Sequence, residues 1–152
     1  MAYIDEQSGP GERFWTDGWN GYPVARDRLL TAVESSGVRN PVVLSGDIHA
    51  FAVANLNRKA HDATSPIVAS EFTTTSITSQ PVAQKALDER RKENPSLLWL
   101  DGSRRGYLRL DITPERLRAD LVAVDDVTRP VSSRSVQASY VVEAGRPGPL
   151  RA

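Results

Sequence analysis

Between residues 106 and 125 apolar side chains recur at every second position, first in GYLRLDI and again in RLRADLVAVDDV, with TPER between the two runs. A strand turns successive side chains to opposite faces, whereas a helix repeats every ~3.6 residues, so this pattern fits extended chain half-buried in a sheet. Leu108, Leu110 and Ile112 fall on one face and Tyr107, Arg109 and Asp111 on the other. The short polar connection predicts that the two runs fold back on each other as an antiparallel hairpin. SVQASYVVEA, further on, reads as another strand of the same sheet.

Upstream the pattern changes. Pro23 suits a first helical turn; Ala25, Leu29 and Val33 follow at i, i+4 and i+8 with Leu30 beside them, and Gly37 is a stop, which predicts a helix over about 23–35. Val42, Val43 and Leu44 form a short apolar run typical of a strand buried on both faces, ending at Ser45 and Gly46. FAVANL (51–56) and PIVASEF (66–72) are further strands, separated by a polar turn holding His61 and Asp62, where His61 is expected to be exposed. Pro81 opens a second helix, PVAQKALDERRKEN, of which the first half faces the core, and Pro95 closes it. Residues 1–13 read as a flexible lead-in, 14–143 as the folded domain and 144–152 as a flexible tail.

Composition narrows the chemistry. With 152 residues the chain fits one domain, and its 19 basic and 19 acidic residues are mixed along it, so no nucleic-acid-binding face is visible. The absence of cysteine removes disulfides and every thiolate ligand from this chain. No apolar run approaches the ~20 residues that span a bilayer, and MAYIDEQSGPGER lacks the parts of a signal peptide.

The candidate site lies where the first apolar run ends. In VVLSGDIHA, Asp47 and His49 follow the strand; in near-extended chain they share a side, with Ile48 turned into the core and Gly46 providing a sharp bend. A carboxylate and an imidazole together suit Fe, Mn or Zn, with Ca at an adjoining oxygen-rich position. The same residues also suit a turn, with Asp47 capping local N–H groups and His49 half-buried, and the pattern alone leaves both readings open. Asp17 and Asn20 in TDGWNGY are oxygen donors in a loop braced by Trp15, Trp19 and Tyr22, or turn-forming residues. Arg26 and Arg28 could meet an anionic substrate or be solvated, and Glu71 could bind a ligand or pair with an arginine. The hydroxyls of Thr73 to Ser79 could orient a phosphate or simply lead into a helix.

Taken in order, DGWNGYPVARDRLL, VVLSGDIHAFAVANL, EFTTTSITS, RRGYLRLDITPERLRADL and SYVVEAGRPG resemble the carboxyl-terminal part of PhoD-like alkaline phosphatases and phosphodiesterases, over residues 14 to about 148. The resemblance implies an α/β fold: the carboxyl-terminal half of a metallophosphoesterase sandwich of two mixed sheets flanked by helices, ending in an antiparallel hairpin. It also implies a multinuclear metal site of iron with calcium, a phosphate ester as substrate, and metal-assisted hydrolysis in which the ions hold the phosphate oxygens and stabilise the transition state. Carried over, Asp47 and His49 are metal ligands and catalytic residues, and Asp17 is a metal ligand or supports one; Asn20 stands where the family commonly has Asp. The family's upstream carboxylate and cysteine ligands have no counterpart in residues 1–13, so this chain is expected to carry part of a site, completed by an amino-terminal portion or by self-association. Family members are often exported. The alternative is a non-catalytic β-rich binding module derived from the enzyme.

Overall fold

The computed structural model describes residues 2, 4, 6, 10–60 and 62–152, so the expectation for His61 lies outside the described residues. Its strands are β1 (Val42–Ser45), β2 (Phe51–Asn57), β3 (Ile67–Thr73), β4 (Leu97–Asp101), β5 (Arg105–Ile112), β6 (Arg116–Val124), β7 (Arg134–Glu143) and β8 (Leu150–Arg151). The helices are α1 (Pro23–Ser35) and α2 (Gln84–Glu93). β1-β3-β2-β4 form one four-stranded sheet and β5-β6-β7-β8 the other. Sheet one is mixed, because β1 runs parallel to β3 while β2 is antiparallel to both β3 and β4. Sheet two is antiparallel throughout.

The two sheets pack face to face. Phe51, Val53 and Phe72 from the first meet Ala119, Leu121, Ala138, Tyr140 and Val142 from the second, with Leu108, Leu110 and Val42 at the margin. The intervening residues of β2 point the other way: Ala52 and Ala54 lie under Leu87 of α2, and Leu56 with Ala69 lies under Leu30 of α1. Covered on both faces, β2 is apolar almost throughout. Burying each large side chain such as Phe51, Phe72 or Leu121 contributes about 1.5–3 kcal/mol. Close approach of β5 and β6 depends on Gly106, where a Cβ would lie 1.9 Å from the Val122 carbonyl oxygen.

The hairpin register matches the alternation, with Leu108 opposite Leu121 and Leu110 opposite Ala119. TPER closes it through Thr113, whose N–H donates to the Arg116 carbonyl at 2.9 Å. Ile112, the last residue of β5 and paired with Leu117, continues the alternation but is 68% exposed.

Four expectations change. The face that α1 buries runs through Arg26, Leu30 and the half-buried Val33, leaving Leu29 exposed, because Arg26 turns inward toward Glu71. β1 is an edge strand: β3 pairs it on one side, and Leu44 is 56% exposed. α2 starts at Gln84, since Ala83 before it is extended and Val82 N–H donates to the Gly102 carbonyl at 3.1 Å. Strands β4 and β8 occupy segments that carry no alternating signal, and β8 pairs Leu150 and Arg151 with Val141 and Tyr140, inside the stretch read as a tail. Described parts of the lead-in are also tied down, with Ala2 N–H donating to Glu71 Oε2 at 2.6 Å and Glu6 ion-paired with Arg90 at 3.4 Å.

Candidate metal centre

β1 delivers the chain to the carboxyl end of the first sheet, and the loop that follows bends at residues other than glycine. Asp47 has φ 75° and His49 φ 56°, both left-handed. Ile48 N–H donates to the Gly46 carbonyl at 3.0 Å, closing a γ-turn centred on Asp47. Gly46 has no positive φ, and a Cβ there would make only ordinary contact with Thr74. The bend is therefore carried by Asp47 and His49 themselves, whose short polar side chains tolerate this region better than most. Each such residue costs on the order of 1 kcal/mol or more and persists only where the surroundings hold it.

This geometry corrects the near-extended reading. Asp47, Ile48 and His49 are all exposed, Ile48 at 44%, so Ile48 does not turn into the core. Neither the Asp47 carboxylate nor the His49 imidazole has a hydrogen-bond or ion-pair partner among the described residues, so neither serves as a local cap. Ala50, immediately after, is fully buried and anchors the loop to β2.

The DGWNGY loop is folded by a 3-10 turn, Trp19–Gly21, which is closed by Tyr22 N–H donating to the Trp19 carbonyl at 3.1 Å. Its aromatics do not brace it from within: Trp15 is 64% exposed and Tyr22 60%. Asp17 is exposed, and it does not join Asp47 and His49 in one cluster, since no group of three or more His, Cys, Asp or Glu comes together among the described residues. Asn20 donates from Nδ2 to the Ile4 carbonyl at 2.9 Å, while its Oδ1 is buried without a hydrogen-bond partner, an acceptor suited to a cation or a donor.

The remaining candidates resolve structurally. Arg26 is buried on α1's inner face and so is not solvated; burial pushes its guanidinium below the ordinary value and the negative charge of Glu71 on β3 opposes this, while Glu71 Oε2 accepts from the Ala2 N–H at 2.6 Å. Arg28 is exposed. The hydroxyls after β3 are largely committed to protein: Thr73 Oγ1 lies 2.7 Å from Ser45 Oγ, Thr75 Oγ1 donates to the Arg104 carbonyl at 3.0 Å, and Ser76 Oγ accepts from Arg105 at 2.5 Å. Arg105 reaches on to the His49 carbonyl at 3.0 Å and contacts the Gly102 carbonyl. Sequence reasoning passed over Arg105; RRGY gives no local sign that the second arginine is buried beneath the candidate loop.

The family model for PhoD-like phosphatases matches residues 1–121 of this chain. The chain belongs to the PhoD-like phosphatase family. It is 36% identical over 135 residues to alkaline phosphatase D of Bacillus subtilis (strain 168), an alignment covering 87% of this chain and 23% of that protein. It superposes on the solved structure of PhoD with a TM-score of 0.89 and 32% identity, over 99% of this chain and 29% of the other. The chain thus spans less than a third of the length of these PhoD relatives, and the two-sheet sandwich is the corresponding part of the phosphatase fold. Among its described residues no helix is long and apolar enough to cross a membrane.

A metal site in a PhoD-like protein fits these residues in part. Asp47 and His49 offer a carboxylate oxygen and an imidazole nitrogen from one short loop, exposed and uncommitted. Two such donors do not fill a coordination shell, for which zinc takes about four ligands and calcium about 6–8.

Proposed function

We propose that this chain takes part in metal-dependent hydrolysis of phosphate esters, with Asp47 and His49 as metal ligands and Asp17 of the DGWNGY loop, which stands apart from them among the described residues, as a supporting residue. The observation that carries the reading is the loop after β1: two left-handed, non-glycine positions separated by one residue, both presenting metal-binding side chains without partners among the described residues. Backbone strain of this kind is retained where the conformation serves a purpose. Metal ions held there would supply Lewis-acid stabilisation of charge on the phosphate oxygens. The chain's own groups bind and orient: Asp47 and His49 hold the metal, and the buried Asn20 Oδ1 offers a further neutral oxygen. The donor set suits iron with calcium. The remaining ligands come from outside these residues, from another portion of a longer chain or from a second copy.

The test is hydrolysis of bis(p-nitrophenyl) phosphate and of p-nitrophenyl phosphate by the purified chain with iron and calcium added, beside His49→Ala and Asp47→Asn. Activity that both substitutions reduce by two or more orders of magnitude supports the reading. Activity unchanged by either substitution overturns it, and no activity under any metal condition rules out completion by a second copy and assigns the remaining ligands to another portion of a longer chain.

A further inference from the structure

The loop that presents Asp47 and His49 is held from behind by a residue of the other sheet. Arg105, at the start of β5, is 5% exposed. Its Nη1 donates to the His49 carbonyl at 3.0 Å and to Ser76 Oγ at 2.5 Å, and its Nη2 donates to the Gly102 carbonyl. These acceptors belong to three separate segments: the loop after β1, the hydroxyl-rich segment after β3, and the turn between β4 and β5. Two of these segments, the one after β3 and the turn leading into β5, are also joined by Gly106 N–H donating to the Ser76 carbonyl at 3.3 Å and by Thr75 Oγ1 donating to the Arg104 carbonyl.

All three acceptors are neutral. Burial pushes the Arg105 guanidinium below its ordinary value, with the more distant Asp101 opposing, and Nε is buried without a partner. A buried cation without a hydrogen-bonded carboxylate is costly, and an apolar side chain would fill the same space at less cost. What the guanidinium alone supplies is a rigid planar fork that fixes several acceptors at once, which a lysine cannot reproduce. One of those acceptors is the backbone of a left-handed ligand residue.

We propose that Arg105 is the positioning residue of the ligand loop: by gripping the His49 carbonyl it fixes the left-handed turn that presents Asp47 and His49, and it couples that turn to the second sheet. The inference rests on the reading of this loop as a metal-binding element. In the metal-free chain, amide hydrogen exchange of Ile48 and its neighbours in 46–50 is expected to rise at least tenfold in Arg105→Gln, while amides of β6 and β7 keep their protection. Arg105→Lys, which keeps the charge and loses the fork, is expected to behave like Arg105→Gln. Exchange in 46–50 that stays at the wild-type level in either variant, or rises only in step with β6 and β7, overturns the proposal. Should Arg105→Gln fail to fold, Ser76→Ala decides, since it removes one acceptor and leaves the guanidinium in place: faster exchange confined to 46–50 and 74–80 supports the clamp, and unchanged exchange sinks it. Titration with Mn²⁺ alone is the second readout, with affinity expected to fall about 10–100-fold in Arg105→Gln, the usual effect of removing a group that orients a metal ligand. Exchange is read without metal, so a chain that fails to bind Mn²⁺ in every form, wild type included, counts against the metal reading while the exchange result still judges the clamp.

Discussion

Replacing Asp120 with Asn tests whether the outer face of the second sheet is held by charge. Asp120 lies on β6 with its side chain 8% exposed, and it accepts from Arg109 Nη2 at 2.7 Å, Arg118 Nε at 2.9 Å and Ser139 Oγ at 2.6 Å. The two arginine side chains are 57% and 41% exposed, so each ion pair belongs near the screened end of the range, about 0.5–1 kcal/mol. Asn keeps the shape and one carbonyl acceptor for Ser139, losing only the charge-assisted part of that bond. The expected cost at pH 7 is about 1–2 kcal/mol, which for a chain of this size lowers Tm by roughly 2–8 °C. Its pH dependence has a definite sign. Burial raises the Asp120 carboxyl, but the bonds from Ser139 and Arg109 and the charge of Arg118 outweigh it, so the folded value lies below the ordinary one. A depressed carboxyl stabilises the fold fully above its unfolded value of about 3.9, and that contribution is lost as pH falls through the folded value. Urea unfolding followed by circular dichroism, in low salt because salt screens the pairs, should show wild type above Asp120→Asn at pH 7 and the two converging in acid. A gap that persists unchanged below the folded value, or no gap at pH 7, refutes the reasoning.

Phe72→Ala removes a fully buried ring from between the sheets and is expected to cost about 3–5 kcal/mol in the same urea experiment; a loss under 1 kcal/mol contradicts the packing described. Gly106→Ala forces a methyl against the Val122 carbonyl, so it should destabilise the hairpin by more than the ordinary strand preference for alanine would offset, and slow-exchanging amides of β5 and β6 should lose protection first. Equal or greater stability of Gly106→Ala would mean that β5 and β6 do not approach as closely as described.

What was legible in the sequence was what local periodicity encodes. The β5–β6 hairpin could be read because one face is buried and the other wet, so Leu108 and Leu110 alternate visibly with Tyr107 and Arg109. The phase of α1 is not legible for a complementary reason: its inward position is Arg26, whose burial hydropathy cannot reveal. β4 was missed because LLWLD is a short apolar run without alternation, and its strand character comes from pairing with β2. At the candidate site, Asp47 and His49 were visible as residue types just past a strand, and β1 does end at Ser45. Their left-handed backbone was not visible, since a glycine beside them offered the simpler explanation for the bend. Arg105 is not legible because two of its three acceptors lie 56 and 29 residues away along the chain.

Whether the loop after β1 binds metal is read out by paramagnetic broadening of the backbone amide spectrum of this chain during a titration with Mn²⁺. Amides of residues 46–50 are expected to broaden first, and His49→Ala is expected to abolish the effect there. Broadening that instead begins at other acidic surface residues, such as Asp125 and Asp126, and leaves 46–50 sharp would contradict metal binding by this loop.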